Sequence, residues 1–124
     1  MPMKLLTKEI TKKLPALYSQ EKVDDPQVVL KFFTPWTNWT WYVTEGEQVC
    51  GHCGESDCTD PEHTGTPRDW KFFGLVDGHE AELGYFSLGE LAGIRGPAGL
   101  RIERDLFWTP IPISEVRKKI DARR

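Results

Sequence analysis

The sequence predicts an α+β domain: an antiparallel meander sheet of about four to five strands, short flanking helices and a zinc-stabilised loop insertion. Three observations predict it. "NWTWYVTE" alternates with the period of a strand, and "DWKFFGLV" is rich in residues that suit a pleated sheet. An Asp-Gly turn in "VDGHE" joins the second of these to a further strand. Helical spacing is confined to short runs near the ends and before Gly96.

"LLTKEITKKLPALY" places Leu6, Ile10 and Leu14 at a spacing of four, and Pro15 stops the helix. "EKVDDPQ" is a polar turn. "VVLKFFTP" reads as a strand ended by Pro35. In the next strand Trp39, Trp41 and Val43 share one face and Thr40, Tyr42 and Thr44 the other, the pattern of a half-buried strand. The hairpin is expected at about 70–76 with 80–86. Its first strand has Trp70 and Phe72 on one face and Phe73 and Leu75 on the other, so it is expected to be central and covered twice. "SLGELAGIRG" opens a short helix with Ser87 and Glu90 at capping-box spacing. "RDLFWTPIPI" is an edge strand broken by Pro110 and Pro112. Ser114 is expected to cap a last helix whose inner stripe is Val116 and Ile120.

A length of 124 residues favours one domain over 1–124, with 45–69 as a loop insertion within it. An apolar fraction of 39% and a charged fraction of 28% suit a folded, water-soluble chain. No run approaches the roughly 18 apolar residues of a membrane helix. Lys4, Lys8 and Glu9 interrupt any signal-peptide core, which predicts a cytoplasmic protein without membrane contact. Thiols stay reduced there, so three cysteines do not suggest disulfides. The net charge of −3 is unevenly spread. Both ends are basic, while Glu45, Glu47, Glu55, Asp57, Asp60, Glu62 and Asp69 face only Arg68 in the middle.

"NWTWY", "FFGLVDGHEAELGYFSLGEL" and "RGPAGLRIERDLFW" resemble the domain of unknown function 2958 family of small bacterial proteins, and the opening "MKLLTKEITKKLPALYSQE" is similar to the start of that family. The resemblance implies no activity. It implies a mobile-element setting, with work near DNA transfer, defence or counter-defence. The cysteine loop departs from the family pattern, so nothing that uses it is carried over.

That loop has the spacing Cys50-x2-Cys53-x4-Cys58-x4-His63 and uses every cysteine of the chain. Two thiolates from a tight turn, a third thiolate and an imidazole complete a tetrahedron suited to zinc. Gly51 and Gly54 allow the turn, and Pro61 limits the chain before the last ligand. His52, inside the Cys-x2-Cys turn, is the alternative fourth ligand. Four ligands close the shell, and the His-x-Glu signature of zinc deaminases is missing, so the zinc is expected to be structural. The spacing also resembles a nucleic-acid zinc knuckle with the last two ligands exchanged. With seven acids over 44–69 against Arg68 alone, and no Phe, Tyr or Trp between the first and last ligands, such a loop repels phosphate. A basic protein surface is the better partner.

Trp36 in "TPWTNW" is expected to be the exposed tryptophan and an interface anchor. With Glu55, Asp57, Asp60 and Glu62 it makes the expected partner-binding set. "DGHEAE" gathers Asp77, His79, Glu80 and Glu82 at a hairpin tip, read first as a solvated turn and second as an enzyme site. "RKKIDARR" is read as a solvated helix face before a nucleic-acid contact. No nucleophile motif or phosphate loop is present, and no catalytic residue is assigned. The sequence thus predicts a non-enzymatic accessory module that binds a larger, nucleic-acid-handling protein. The alternatives are direct nucleic-acid binding through the basic terminal helices and an enzyme using Asp77, Glu80 and Glu82. The two-sided aromatic sheet also allows a homodimer.

Overall fold

The computed structural model describes residues 4–55, 58–63 and 67–123. Helix α1 (Lys8–Lys13) is capped by Thr7, whose hydroxyl accepts from the Ile10 N–H at 3.3 Å. Strands β1 (Gln27–Val28) and β2 (Leu30–Phe33) divide the single strand expected over "VVLKFFTP". Then come β3 (Thr40–Cys50), β4 (Arg68–Asp77) and β5 (Ala81–Ser87). Helix α2 (Leu88–Gly93) starts where the Ser87 hydroxyl accepts from the Glu90 N–H at 3.0 Å. Strands β6 (Glu103–Arg104) and β7 (Ile111–Pro112) precede α3 (Ile113–Arg123).

Five strands form one antiparallel sheet in the order β5-β4-β3-β2-β6. The expected α+β meander is therefore present, with β6 added beyond β2. The proline-broken segment splits: β6 takes an edge of the main sheet and β7 pairs with β1 in a small separate ladder. No described helix is long and apolar enough to cross a membrane.

β3 is central and differs from expectation. Thr40, Trp41, Tyr42, Val43 and Thr44 are all buried, because helices cover both sheet faces. On one face Trp41, Val43, Phe72 and Phe86 pack with Leu6, Leu14 and Leu91 from the α1 and α2 segments. On the other, Tyr42 and Leu75 pack with Val116 and Ile120 of α3. Alternation in the sequence reported only that two faces exist, since Thr and Tyr read as polar. β4 is covered on both faces, as its residues predict: Phe72 belongs to one core and Leu75 to the other.

A bulge between Val43 and Glu45 shifts the β3–β4 register. The Thr44 hydroxyl donates to the Phe73 carbonyl at 3.1 Å. Beside the bulge, a Cβ on Gly74 would run into the Tyr42 carbonyl oxygen. Ser114 does not cap α3. It lies inside the helix and donates through both its N–H, at 3.0 Å, and its hydroxyl, at 2.6 Å, to Asp25. The cap comes from the polar turn at 24–25, a partner distant in sequence and invisible to a local motif.

Candidate metal centre

The β3–β4 ladder delivers the first ligand. Cys50 is the last residue of β3 and pairs with Arg68, so the excursion narrows from the expected 45–69 to 51–67. Residues 45–50 and 68–69 are ladder. From Cys50 the chain folds back at once. The Gly54 N–H donates to the Cys50 carbonyl and the Cys50 N–H to the Glu55 carbonyl, both at 2.9 Å. Gly54 makes this turn at φ +78°, the left-handed region where a side chain is strained. Gly51 has no such φ. The His52 N–H points at the Cys50 sulfur at 3.4 Å.

The fourth ligand comes from a 3-10 turn, Pro61–His63. Asp60 caps it: its Oδ1 accepts from the Glu62 N–H at 2.9 Å, and its carbonyl from the His63 N–H at 3.0 Å. Pro61 opens the turn, where a missing N–H costs nothing. The result is convergence. One ligand atom from each of Cys50, Cys53, Cys58 and His63 lies within 4.8 Å of all the others. His63 Nδ1 sits 3.1 Å from the Cys58 sulfur. A tetrahedral ion with metal–sulfur bonds of about 2.3 Å and a metal–nitrogen bond of about 2.0 Å needs donor separations of roughly 3.6–3.8 Å, so a small adjustment completes the shell. Three sulfurs and one imidazole favour a borderline-soft ion.

The converging donor group takes in His63 and not His52. The His52 ring lies 4.1 Å from the His63 ring, centroid to centroid, and packs on it from outside. Backbone N–H groups of Cys53 and then His52 hold the Cys50 thiol below its usual pKa. At Cys58 the Asp60 backbone N–H pulls the same way, but burial and proton sharing with Cys53 and Cys50 outweigh it and leave that thiol raised. A bound cation deprotonates all three. A notch of about 330 Å³ beside the turn is lined by Cys50, His52, Cys53, Lys71, Tyr85 and Glu90.

The expected partner-binding residues do not form one surface. Glu55, Asp60 and Glu62 are exposed around the metal site, and Asp57 lies outside the described residues. Trp36 belongs to the turn between β2 and β3, at the other end of β3. Eleven strand residues at about 3.3 Å each put it roughly 30 Å from Cys50. Trp36 is half-buried, its indole lying against Gly96, while Trp39 is the more exposed tryptophan at 37%. Two loop acids are also turned inward. Glu45 is 3% exposed and accepts from the Gln20 N–H at 2.9 Å, and Asp69 accepts from the N–H groups of Trp70 and Gly89.

Residues 62–122 match the model of the family described as Protein of unknown function (DUF2958). The match covers 61 of the 124 residues, and over that segment the chain is similar to the family. No curated protein and no solved structure matches the chain. The DUF2958 match takes in His63 and runs from β4 into α3, while the three cysteines precede it. The N-terminal stretch that resembles the family's start also lies outside it.

Within the DUF2958 segment the hairpin-tip acids separate. Asp77 is buried and accepts from Arg123 Nη2 at 3.1 Å, which ties α3 to the sheet, whereas Glu80 and Glu82 are exposed. The His79 ring meets Trp39 edge-on at 5.5 Å. Among the described residues, the Cys3His set is the group of His, Cys, Asp and Glu close enough to share an ion. Sequence reasoning missed the placement of Asp60 beside His63, with its Oδ2 3.8 Å from Nε2. "TDPEH" carried the signal: an acid before Pro starts a helical turn, and that turn aims the histidine.

Proposed function

We propose that the chain is a non-enzymatic interaction module. A structural zinc ion held by Cys50, Cys53, Cys58 and His63 fixes a loop whose acids dock on a basic surface of a larger protein. The observation that carries this reading is the convergence of four donors within 4.8 Å in an excursion, 51–67, that contains no Val, Ile, Leu, Met, Phe, Tyr or Trp. Such a segment cannot fold by burial, whereas zinc binding of about 10–16 kcal/mol apparent can order it. Four ligands leave no position for a catalytic water.

The charge of the loop sets the partner class. Three thiolates on a divalent ion leave a net negative centre, and Glu55, Asp60 and Glu62 are exposed beside it. A basic surface built for phosphate, as on a nucleic-acid-handling protein, is complementary to that arrangement. Direct nucleic-acid binding by the terminal helices has less support. Cores on opposite sheet faces receive the α1 segment and α3, so their basic residues do not merge into one patch. Lys118 is also paired with Glu115 at 3.4 Å and Arg123 with Asp77.

The test is an affinity capture from the native host with wild type and with the double variant Glu55→Lys, Glu62→Lys. The reading expects a basic partner that the variant loses while it still binds about one zinc per chain. Capture unchanged by the charge reversal overturns it. Retardation of DNA or RNA at low salt, with a steep salt dependence, favours the alternative.

A further inference from the structure

We propose that β5 is the pairing edge of a symmetric homodimer. β5 is an outer strand of the five-stranded sheet and the longer of its two edges: seven residues against two for β6. Its sequence, AELGYFS, has neither the Lys nor the Pro that commonly blunts an edge.

The direction of its backbone groups follows from the ladder. The Val43 carbonyl accepts from the Val29 N–H at 2.9 Å, so Val43 turns its polar groups toward β2. Its partner Gly74 therefore turns its own toward β5, where it faces Gly84. The neighbours Leu83 and Tyr85 direct their N–H and C=O groups outward, where no described strand lies. Their side chains add an apolar surface. Each is 50% exposed, on the sheet face that α3 covers only farther in. The Tyr85 ring is 4.9 Å from Phe73, with the Lys71 ammonium 5.0 Å from its centroid.

Self-complementarity identifies the occupant as a second copy. An antiparallel two-fold centred on Gly84 sets Leu83 opposite Tyr85 of the other copy, twice. Each such pair exchanges the two outward backbone hydrogen bonds. The apolar row then runs Phe73, Tyr85, then Leu83 and Leu75 of the second copy. Glu82, the one charged residue of β5, falls opposite Phe86 and not opposite its own copy. Lys71, paired with Ser87, is brought to the acidic end of the other β5, near Glu80. Gly84 meets Gly84 with nothing in the way, as a Cβ there has no atom within 4 Å. The two five-stranded sheets become one continuous sheet.

One short strand per copy buries less than about 1,200 Å², the size class of weak, reversible association. Sedimentation velocity from about 1 µM to about 1 mM is expected to show a reversible monomer–dimer equilibrium. Leu83→Lys puts like charges across the interface and should weaken association about tenfold or more. Leu83→Pro removes an outward N–H that the monomer's ladder does not use and should do the same. If circular dichroism shows that the proline variant is unfolded, the lysine variant decides. A wild type that stays monomeric to about 1 mM, or a dimer that Leu83→Lys leaves unchanged, overturns the proposal.

Discussion

The sheet and the loop at its end are folded by different physics. Around Phe72, fully buried between Phe32 and Phe86 with centroids 5.8 Å away on each side, order comes from removing hydrocarbon from water. Across 51–67 there is no large apolar side chain to bury, and four donors converge instead. The two regions meet at one residue, since Cys50 is both the end of a ladder and a member of the donor cluster. That junction makes the dependence one-way. The sheet, held by its two hydrocarbon cores, is expected to stand without a metal, whereas the donor cluster needs the ladder to place its first thiol.

The largest effect separates the regions. On the proposed zinc reading, chelation or Cys53→Ser should remove the roughly 10–16 kcal/mol of apparent metal binding from the loop alone. Amide exchange should then become fast over 50–63, while Val43 and Leu75 keep their protection. Chelation that unfolds the whole chain would show that the two regions are a single cooperative unit. The reverse break comes next in size. Phe72→Ala opens a cavity in the core and should cost about 3–5 kcal/mol in a urea transition. Zinc should weaken together with the fold, because Cys50 loses its ladder. A variant whose urea midpoint falls by that amount while zinc affinity is unchanged would contradict the one-way dependence.

Legibility divides along the same line. The sheet was readable where side chains announce their period: the hairpin, the apolar stripe of α3 and the double-faced β4. The Ser87 cap was readable because its partner is three residues away. What failed was whatever depends on residues far apart in sequence. Both faces of β3 are buried because α3 returns to cover Tyr42, and Asp25 caps α3 across the chain. The bulge at Thr44 has no local signature either, yet it sets the register that brings Glu45 inward to the Gln20 N–H. In the loop the donor cluster was legible from spacing alone, since four donor residues in fourteen positions have few other uses. Which acids face solvent was not, and Glu45 and Asp69 proved to be structural. Charge counts along a chain do not report where carboxylates point.

Asp60 is the finest test, because it stands on both sides of the division. As a cap it shapes backbone, accepting from the Glu62 N–H. As a carboxylate 3.8 Å from His63 Nε2 it sits where an outer partner orients a ligating imidazole. Asp60→Asn keeps an acceptor for the cap and removes the charge, whereas Asp60→Ala removes both. If orientation and charge at His63 matter, zinc affinity measured against a competing chelator should fall about tenfold in the Asn variant and up to about a hundredfold in the Ala variant. If only the backbone turn matters, Asn should match wild type and Ala alone should weaken. Equal affinity in all three would mean that the ligand spacing suffices to form the site, and that Asp60 is free to serve the docking surface with Glu55 and Glu62.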